Sequence, residues 1–374
     1  MTSETAEASA ARTTTVTSET GEEMQVLHLP YFDTNPYQAN LAAALERNGV
    51  SVTLTTGYPA EAVRTLFSEG VPDVLHLHWI SPYLVGDSRV TSVLKAAVFC
   101  TGLLVARLLG VRIVWTAHNL VEHERRYPSF ERFCKGLLVE HLFDRVFVHW
   151  QEARSELREE FGLAEDGEPF VTVTHGHYIH NYENEVDEET ARSRFGIPPD
   201  AFVLLFFGGI RSYKGVPELI DAFEALDRDD VHLLIAGNTF ETDLHEQIED
   251  MASANPRIHC TLEFVPDENV QWYMNAADAV VFPFEDIFTS GSVILAMSFG
   301  KAVVAPRSEY LDESVGNHGG ILYDGDDPDG LDAALKEIVD REVDSMGRRN
   351  YELVSRHEWE TVAAETVAAY REVL

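Results

Sequence analysis

The chain has 374 residues, 45% of them hydrophobic, which is enough for two globular domains with separate cores and too apolar for general disorder. Lysine and arginine number 28 against 63 acidic residues, a net charge of −35 that repels nucleic acid. Three scattered cysteines, Cys100, Cys134 and Cys260, without a CxxC, exclude a disulfide scaffold and a thiolate zinc site.

Residues 1–24, rich in Ser, Thr, Ala and Glu without an apolar core, read as a disordered acidic tail and not a signal peptide. "MQVLHLPYF" then opens a strand, and "NPYQANLAAALERNG" a helix. Apolar, β-branched runs follow at 50–56, 71–79, 111–119, 144–150 and 169–178, with helical patterns between them. Such alternation predicts a parallel sheet covered on both faces, whose ligands gather at the C-terminal strand ends. The run 93–110, "VLKAAVFCTGLLVARLLG", contains Lys95 and Arg107 and is short for a membrane span, so it reads as a buried or partly membrane-facing helix, with burial the favoured reading. Beside it, "YPSFERF" (127–133) offers aromatics that fit either a core or a lipid-linked glycan.

The pattern lapses at 186–199, which reads as a linker between a first domain over 25–185 and a second over 200–352. The second domain repeats the α/β alternation, with strands near 201–209, 231–237, 258–266, 277–284, 301–306 and 319–324. A terminal helix over 353–374 is expected to pack back on the first domain. The fold class is therefore α/β, with two Rossmann-like domains facing a central cleft. No GxGxxG follows the first strand, which argues against a dinucleotide enzyme.

Because acids are so abundant here, single carboxylates carry little information and basic residues carry more. "GGIRSYKG" (208–215) ends an apolar strand with Gly208 and Gly209, then supplies Arg211 and Lys214 before a helix start. That set suits a diphosphate, through close backbone approach, two cations and free helical N–H groups; the plain alternative is a basic surface turn. In "FPFEDIFTSGSVILAMSFG", Thr289, Ser290, Gly291 and Ser292 open another helix that suits phosphate oxygens, or simply a capped helix. Histidines gather at strand ends: His76, His78, His118, His149, His175 and His177. Without a carboxylate or thiol set at ligand spacing they indicate a polar cleft rather than a metal centre.

Jointly, "TAHN" (116–119), "VHWQEARSEL" (148–157), "GGIRSYKG", "IAG" (235–237), "YMNAADAVVFPF" (273–284) and "TSGSVILAMSFGKAVVAP" (289–306) resemble the GT-B glycosyltransferases of the large retaining family 4, over residues 25–370. The resemblance implies transfer of a sugar from a nucleoside-diphosphate sugar, UDP or GDP, to an acceptor hydroxyl with retention, and no further cofactor. It assigns Arg211 and Lys214 to the leaving diphosphate, with Gly208, Gly209, Gly237 and the "TSGS" helix start beside it. His118 is implied to position the sugar, while His78, Trp79 and His177 are expected on the acceptor side. The family's two glutamates fall at Ile287 and Leu295 here; Glu285 or Asp286 is expected to take the earlier role, and Leu295 cannot hold a ribose by its side chain. The implied acceptors are glycans or lipid-linked glycans, handled in the cytoplasm or at the inner membrane face with weak peripheral attachment. The acid excess is read as adaptation to high salt, where screening weakens self-repulsion. A nucleotide-sugar epimerase, or a binding protein without activity, remains the alternative.

Overall fold

The computed structural model describes residues 24–56, 70–121, 126–163, 169–285 and 287–374. The chain forms two compact units. The first comprises residues up to Thr174 together with Trp359–Leu374, and the second spans His175–Glu358.

The first unit is built on a parallel sheet in the order β2-β1-β3-β4-β5-β6. Its strands are β1 (Met24–Leu29), β2 (Val50–Leu54), β3 (Val74–Leu77), β4 (Arg112–Thr116), β5 (Arg145–Val148) and β6 (Phe170–Thr172). β3 is buried along its whole length, as a central strand covered on both faces must be. The helix Pro36–Arg47 follows β1; Asn35 caps it by accepting the Tyr37 N–H at 3.0 Å, and proline opens its first turn. Buried Gln38 ties the preceding loop, donating to the Pro30 carbonyl at 2.8 Å and accepting the Phe32 N–H at 3.3 Å.

The second unit carries its own parallel sheet, in the order β12-β11-β10-β7-β8-β9. Here β7 is Phe202–Phe207, β8 Val231–Ala236, β9 Ile258–Thr261, β10 Ala279–Val281, β11 Ala302–Pro306 and β12 Gly320–Tyr323. The chain enters at β7, moves outward to β8 and β9, then returns to β10 on the other flank of β7. The loops after β7 and β10 therefore diverge at a topological switch point, where open α/β sheets form a ligand crevice.

Three expectations need correction. Residues 186–199 are not a plain linker, because Glu188–Arg194 is a helix capped by Asp187 and belonging to the second unit. Buried Arg192 anchors it, donating to the Ala276 carbonyl at 3.1 Å and to the Asp278 carboxylate at 2.7 Å. The chain instead passes between units at 174/175 and again at 358/359. The final helix begins at Trp359, six residues later than expected, and belongs to the first unit, where Arg47 pairs with Glu360 at 2.6 Å. The third correction concerns the apolar helix, which runs over Arg89–Leu108 and buries only one stripe, Ser92, Ala96, Phe99, Leu103 and Ala106.

Candidate active site

In the second unit, β7 and β8 end in glycines for steric reasons. Gly237 has φ 152°, and a Cβ there would overlap the Gly208 carbonyl. Gly208 has φ 130°; a Cβ on it would lie 2.9 Å from the Ser292 Oγ and 4.0 Å from the Lys214 Nζ. Residues 84 positions apart thus meet over one glycine, at the switch point between β7 and β10. The short 3-10 turn Ser212–Lys214 ends at Gly215, whose φ of 64° starts the next helix and whose Cα abuts the Pro283 carbonyl. Glu241 holds this turn from below, accepting the Ser212 N–H at 3.1 Å and the Ser212 hydroxyl. Those bonds keep its carboxyl below the ordinary glutamate range.

Lys214 is half-buried, its Nζ 5.1 Å from the centre of the Phe284 ring. Burial, and then the neighbouring Arg211, lower its pKa to about 8. Such a site favours an anion that restores the charge balance. Arg211 lies 4.1 Å over the Phe240 ring, which also touches the position of Gly209. In the helix Gly291–Ser298, Ser290 is the N-cap and accepts the Val293 N–H at 3.3 Å. Capping therefore occupies Ser290, while the first-turn N–H groups of Gly291 and Ser292 have no carbonyl one turn back to bond. Gly291 also lies beside the Tyr178 hydroxyl, 3.5 Å from where a Cβ would stand. Thr289 precedes the cap and is partly exposed.

Glu285 is exposed at the same crevice, its N–H bonded to the Tyr213 carbonyl at 3.1 Å. Asp286 lies outside the described residues. Leu295 is buried in the helix and Ile287 is partly exposed, so neither family glutamate has a counterpart at its own position. Tyr178, Phe240 and Phe284 were missed from sequence. Aromatics in apolar runs carry no mark of their partners, and only the Tyr in "HGHY", next to strand-end histidines, offered a signal.

The first unit holds a second polar cluster at the C-terminal ends of β1, β3, β4 and β5. His118 is half-buried and stacks on Trp79, with ring centres 4.3 Å apart and planes at 15°. Behind it, the His78 Nδ1 lies 3.1 Å from the His118 Nε2, and the His78 Nε2 lies 3.4 Å from the His28 Nδ1. His78 is wholly buried, so the expectation of a direct acceptor contact is corrected: it backs His118 instead. His76 bonds the Tyr370 hydroxyl at 2.5 Å and the Thr116 hydroxyl at 2.6 Å. Burial drives the pKa of His28 down to about 3 and that of His149 to about 4, and lowers His76 and His78 well below the ordinary value. Side-chain nitrogens of His28, His76 and His78 fall within 4.8 Å of one another. A cation there would have to break hydrogen bonds that already engage both nitrogens of His76 and of His78.

His177 is also corrected. It lies in the second unit beside the chain crossing, buried, with its N–H on the His357 carbonyl at 3.0 Å and its Nε2 3.2 Å from Glu358. It braces the crossing and belongs to the second unit, not the first as expected.

Two Rossmann-like units, the second with a cationic, glycine-lined turn facing a helix N-terminus, define a GT-B nucleotide-sugar transferase. Residues 201–341 match the family "Glycosyl transferases group 1". A D-inositol 3-phosphate glycosyltransferase of Paenarthrobacter aurescens is 31% identical over 73% of this chain and 70% of its own. A GDP-mannose:glycolipid 4-beta-D-mannosyltransferase of Xanthomonas campestris pv. campestris is 28% identical over 92% of this chain and 90% of its own. Among solved structures, sucrose-phosphate synthase from Thermosynechococcus elongatus superposes with a TM-score of 0.74 at 17% identity, covering 94% and 99% of the two chains. Anabaena HepE in complex with UDP and glucose gives 0.70 at 19%, covering 93% and 100%. The chain belongs to the glycosyl transferase group 1 family, and it is a glycosyltransferase that uses a nucleotide-sugar donor.

Proposed function

We propose that this protein transfers mannose from GDP-mannose to a hydroxyl of a lipid-linked glycan at the cytoplasmic face of the membrane, in cell-surface glycan synthesis. The observation that carries the donor half is the meeting of Lys214, Ser292 and Gly208 at the switch point of the second sheet. Lys214 and Arg211 stabilise the charge growing on the departing diphosphate, and the N–H groups of Gly291 and Ser292 take its oxygens. Glu285 reaches toward the transferred sugar and His118 positions it. The choice of GDP-mannose and of a glycolipid acceptor is supported by the activity named for the Xanthomonas relative. The acid excess adapts the protein to concentrated salt.

Retention at the anomeric carbon is what the family resemblance implies. Inversion is a second reading, favoured by the β-linkage in the relative's name and by Ile287 and Leu295 standing where the retaining family carries glutamates. An α-linked nucleotide sugar yields a β product only by inversion, and a base must then take the acceptor proton.

The test is transfer in molar salt from UDP-, GDP- and ADP-sugars to a short-chain polyprenyl-diphosphate glycan, with proton NMR of the new anomeric centre. An α-mannosyl product establishes retention and a β product inversion. Consumption of a UDP- or ADP-sugar alone overturns the GDP-mannose assignment, and epimerised donor without glycoside overturns transfer.

A further inference from the structure

Among the described residues, the helix Arg89–Leu108 alone is long and apolar enough to cross a membrane, and most of it is exposed. Its capping box is complete, with the Thr91 N–H on the Ser88 Oγ at 3.2 Å and the Ser88 N–H on the Thr91 Oγ1 at 2.9 Å. One stripe is committed to the unit: Phe99 stacks on Tyr83, ring centres 4.9 Å apart, and Lys95 donates to the Pro82 and Val85 carbonyls. At about 100° per residue, Val90, Leu94, Val98, Leu104 and Leu108 fall on the opposite side. They are between 50% and 86% exposed. This strip is about 30 Å long at ~1.5 Å per residue. Within it the Thr101 hydroxyl is turned back onto the Ala97 carbonyl at 2.7 Å, so it needs no water. Arg107 ties Arg89–Leu108 to the end of the helix Pro128–His141, donating to the Leu142 carbonyl at 3.0 Å, and Phe133 of that second helix stands 64% exposed.

Charge distinguishes this face from the rest of the molecule. In a chain with 63 acidic residues, none occurs from Ser88 to Val121, while Arg89, Lys95, Arg107 and Arg112 do. The carboxylates nearest it stand at its ends or are paired: Asp87 precedes the N-cap and pairs with Arg126, Asp144 pairs with Arg107 at 3.0 Å, and Glu131 is turned inward on buried Lys135 at 2.9 Å, while Glu140 is exposed at the far end of the helix Pro128–His141. A surface covered by water gains nothing from excluding carboxylates, and a two-fold contact with a second copy would set these same cations against one another. A surface pressed against lipid headgroups and acyl chains does, because ionised carboxylates are costly there.

We propose that the Arg89–Leu108 helix lies flat in the surface of a lipid bilayer, its exposed strip in the acyl boundary and Arg89, Lys95 and Arg107 on its flanks at headgroup depth. The buried stripe keeps it from crossing the membrane. The lipid-linked acceptor of the proposed function gives this docking its purpose, but the geometry stands without it. Apolar insertion carries the binding, and the net charge opposes approach to anionic lipid. Added salt therefore strengthens attachment, the reverse of a basic-patch anchor, because at about 1 M the Debye length shrinks to roughly 3 Å.

The test is flotation of the full chain with phosphatidylcholine–phosphatidylglycerol vesicles free of glycan and nucleotide sugar, at 0.1 and 2 M NaCl. A half-inserted leucine contributes roughly tenfold in partitioning. The double variant L94E/L104E, both positions exposed, should thus bind at least ~100-fold more weakly with an unchanged circular dichroism spectrum. Wild type that stays unbound at both salts, or a double variant that floats equally, overturns the proposal. So does sedimentation showing a wild-type dimer that the double variant abolishes while neither floats. Wild type that floats but glycosylates only soluble acceptors leaves the docking face standing and removes the lipid-linked acceptor.

Discussion

Replacing Lys214 with alanine tests the diphosphate grip most directly. Its ammonium is held half-buried over Phe284, close to Ser292 and to the end of β7. Little reorganisation is needed when charge moves onto the leaving group. Removing one such preorganised donor costs about 3–4 kcal/mol, or ~10²–10³ in kcat, with a smaller change in KM because the interaction strengthens as the bond breaks. The pH profile gives an independent reading. With a free-enzyme pKa of about 8, wild-type kcat/KM should fall on the alkaline side near pH 8 as Lys214 loses its proton. A saturating dianionic donor favours the ammonium, so the limb in kcat should lie at higher pH. Lys214→Arg keeps the charge and should lose the limb while retaining part of the turnover. The assay is initial-rate donor consumption from pH 6 to 10 in constant molar salt. Lys214→Ala turning over within threefold of wild type, or an unmoved alkaline limb in Lys214→Arg, would refute the reasoning.

The same depressed pKa has a consequence for stability: between about pH 8 and 10.5 the unfolded chain binds the lysine proton and the native chain does not, so this group makes stability rise with pH there. Lys214→Met should flatten that part of the curve in urea titrations. At the acid end, His28 and His149 titrate near 6.5 when unfolded but at about 3 and about 4 in the fold, so stability is full above pH 6.5 and declines progressively below it. His149→Gln should reduce the slope between pH 6.5 and 4. Tyr370→Phe removes the hydroxyl on the His76 Nδ1 and leaves a buried nitrogen unpaired, costing about 1–3 kcal/mol in chemical unfolding. Gly215→Ala combines φ 64° with overlap of the Pro283 carbonyl; it should cost at least ~1–3 kcal/mol and weaken nucleotide binding by calorimetry, while leaving the His76–Tyr370 bond of the other unit intact.

The twelve strands among the described residues stand inside the apolar runs that predicted them, because parallel strands buried on both faces leave continuous β-branched stretches in the sequence. Gly208, Lys214 and the "TSGS" turn were legible for a related reason: glycines and cations at strand ends are conspicuous where acids prevail. What the sequence does not carry is which loop meets which. Ser292 reaches Gly208 only because β10 returns to the flank of β7, a pairing set by the whole sheet. His78 and His118 look alike as strand-end histidines, yet one is sealed and the other half-open, since depth depends on Trp79 and Tyr37 packing over them. His177 was misplaced by its similarity to them. Whether the outer strip of the helix Arg89–Leu108 faces a core or lies bare is not legible, because an apolar helix has the same composition in either place.

The two chain crossings impose an order on biosynthesis. The second unit is inserted in the sequence of the first, whose sheet is complete by Thr172, but the helix bearing Trp359 and Tyr370 emerges from the ribosome some 190 residues later. At roughly 5–20 residues per second, the nascent sheet waits about 10–40 s with the His76 Nδ1 unpaired and the surface around Tyr37 uncovered. The second unit, being continuous, has everything it needs to fold during that interval. A chaperone that holds nascent chains should therefore be found on the first unit and not on the second, and a fusion partner appended after residue 374 should delay the first unit's closure more than the second's.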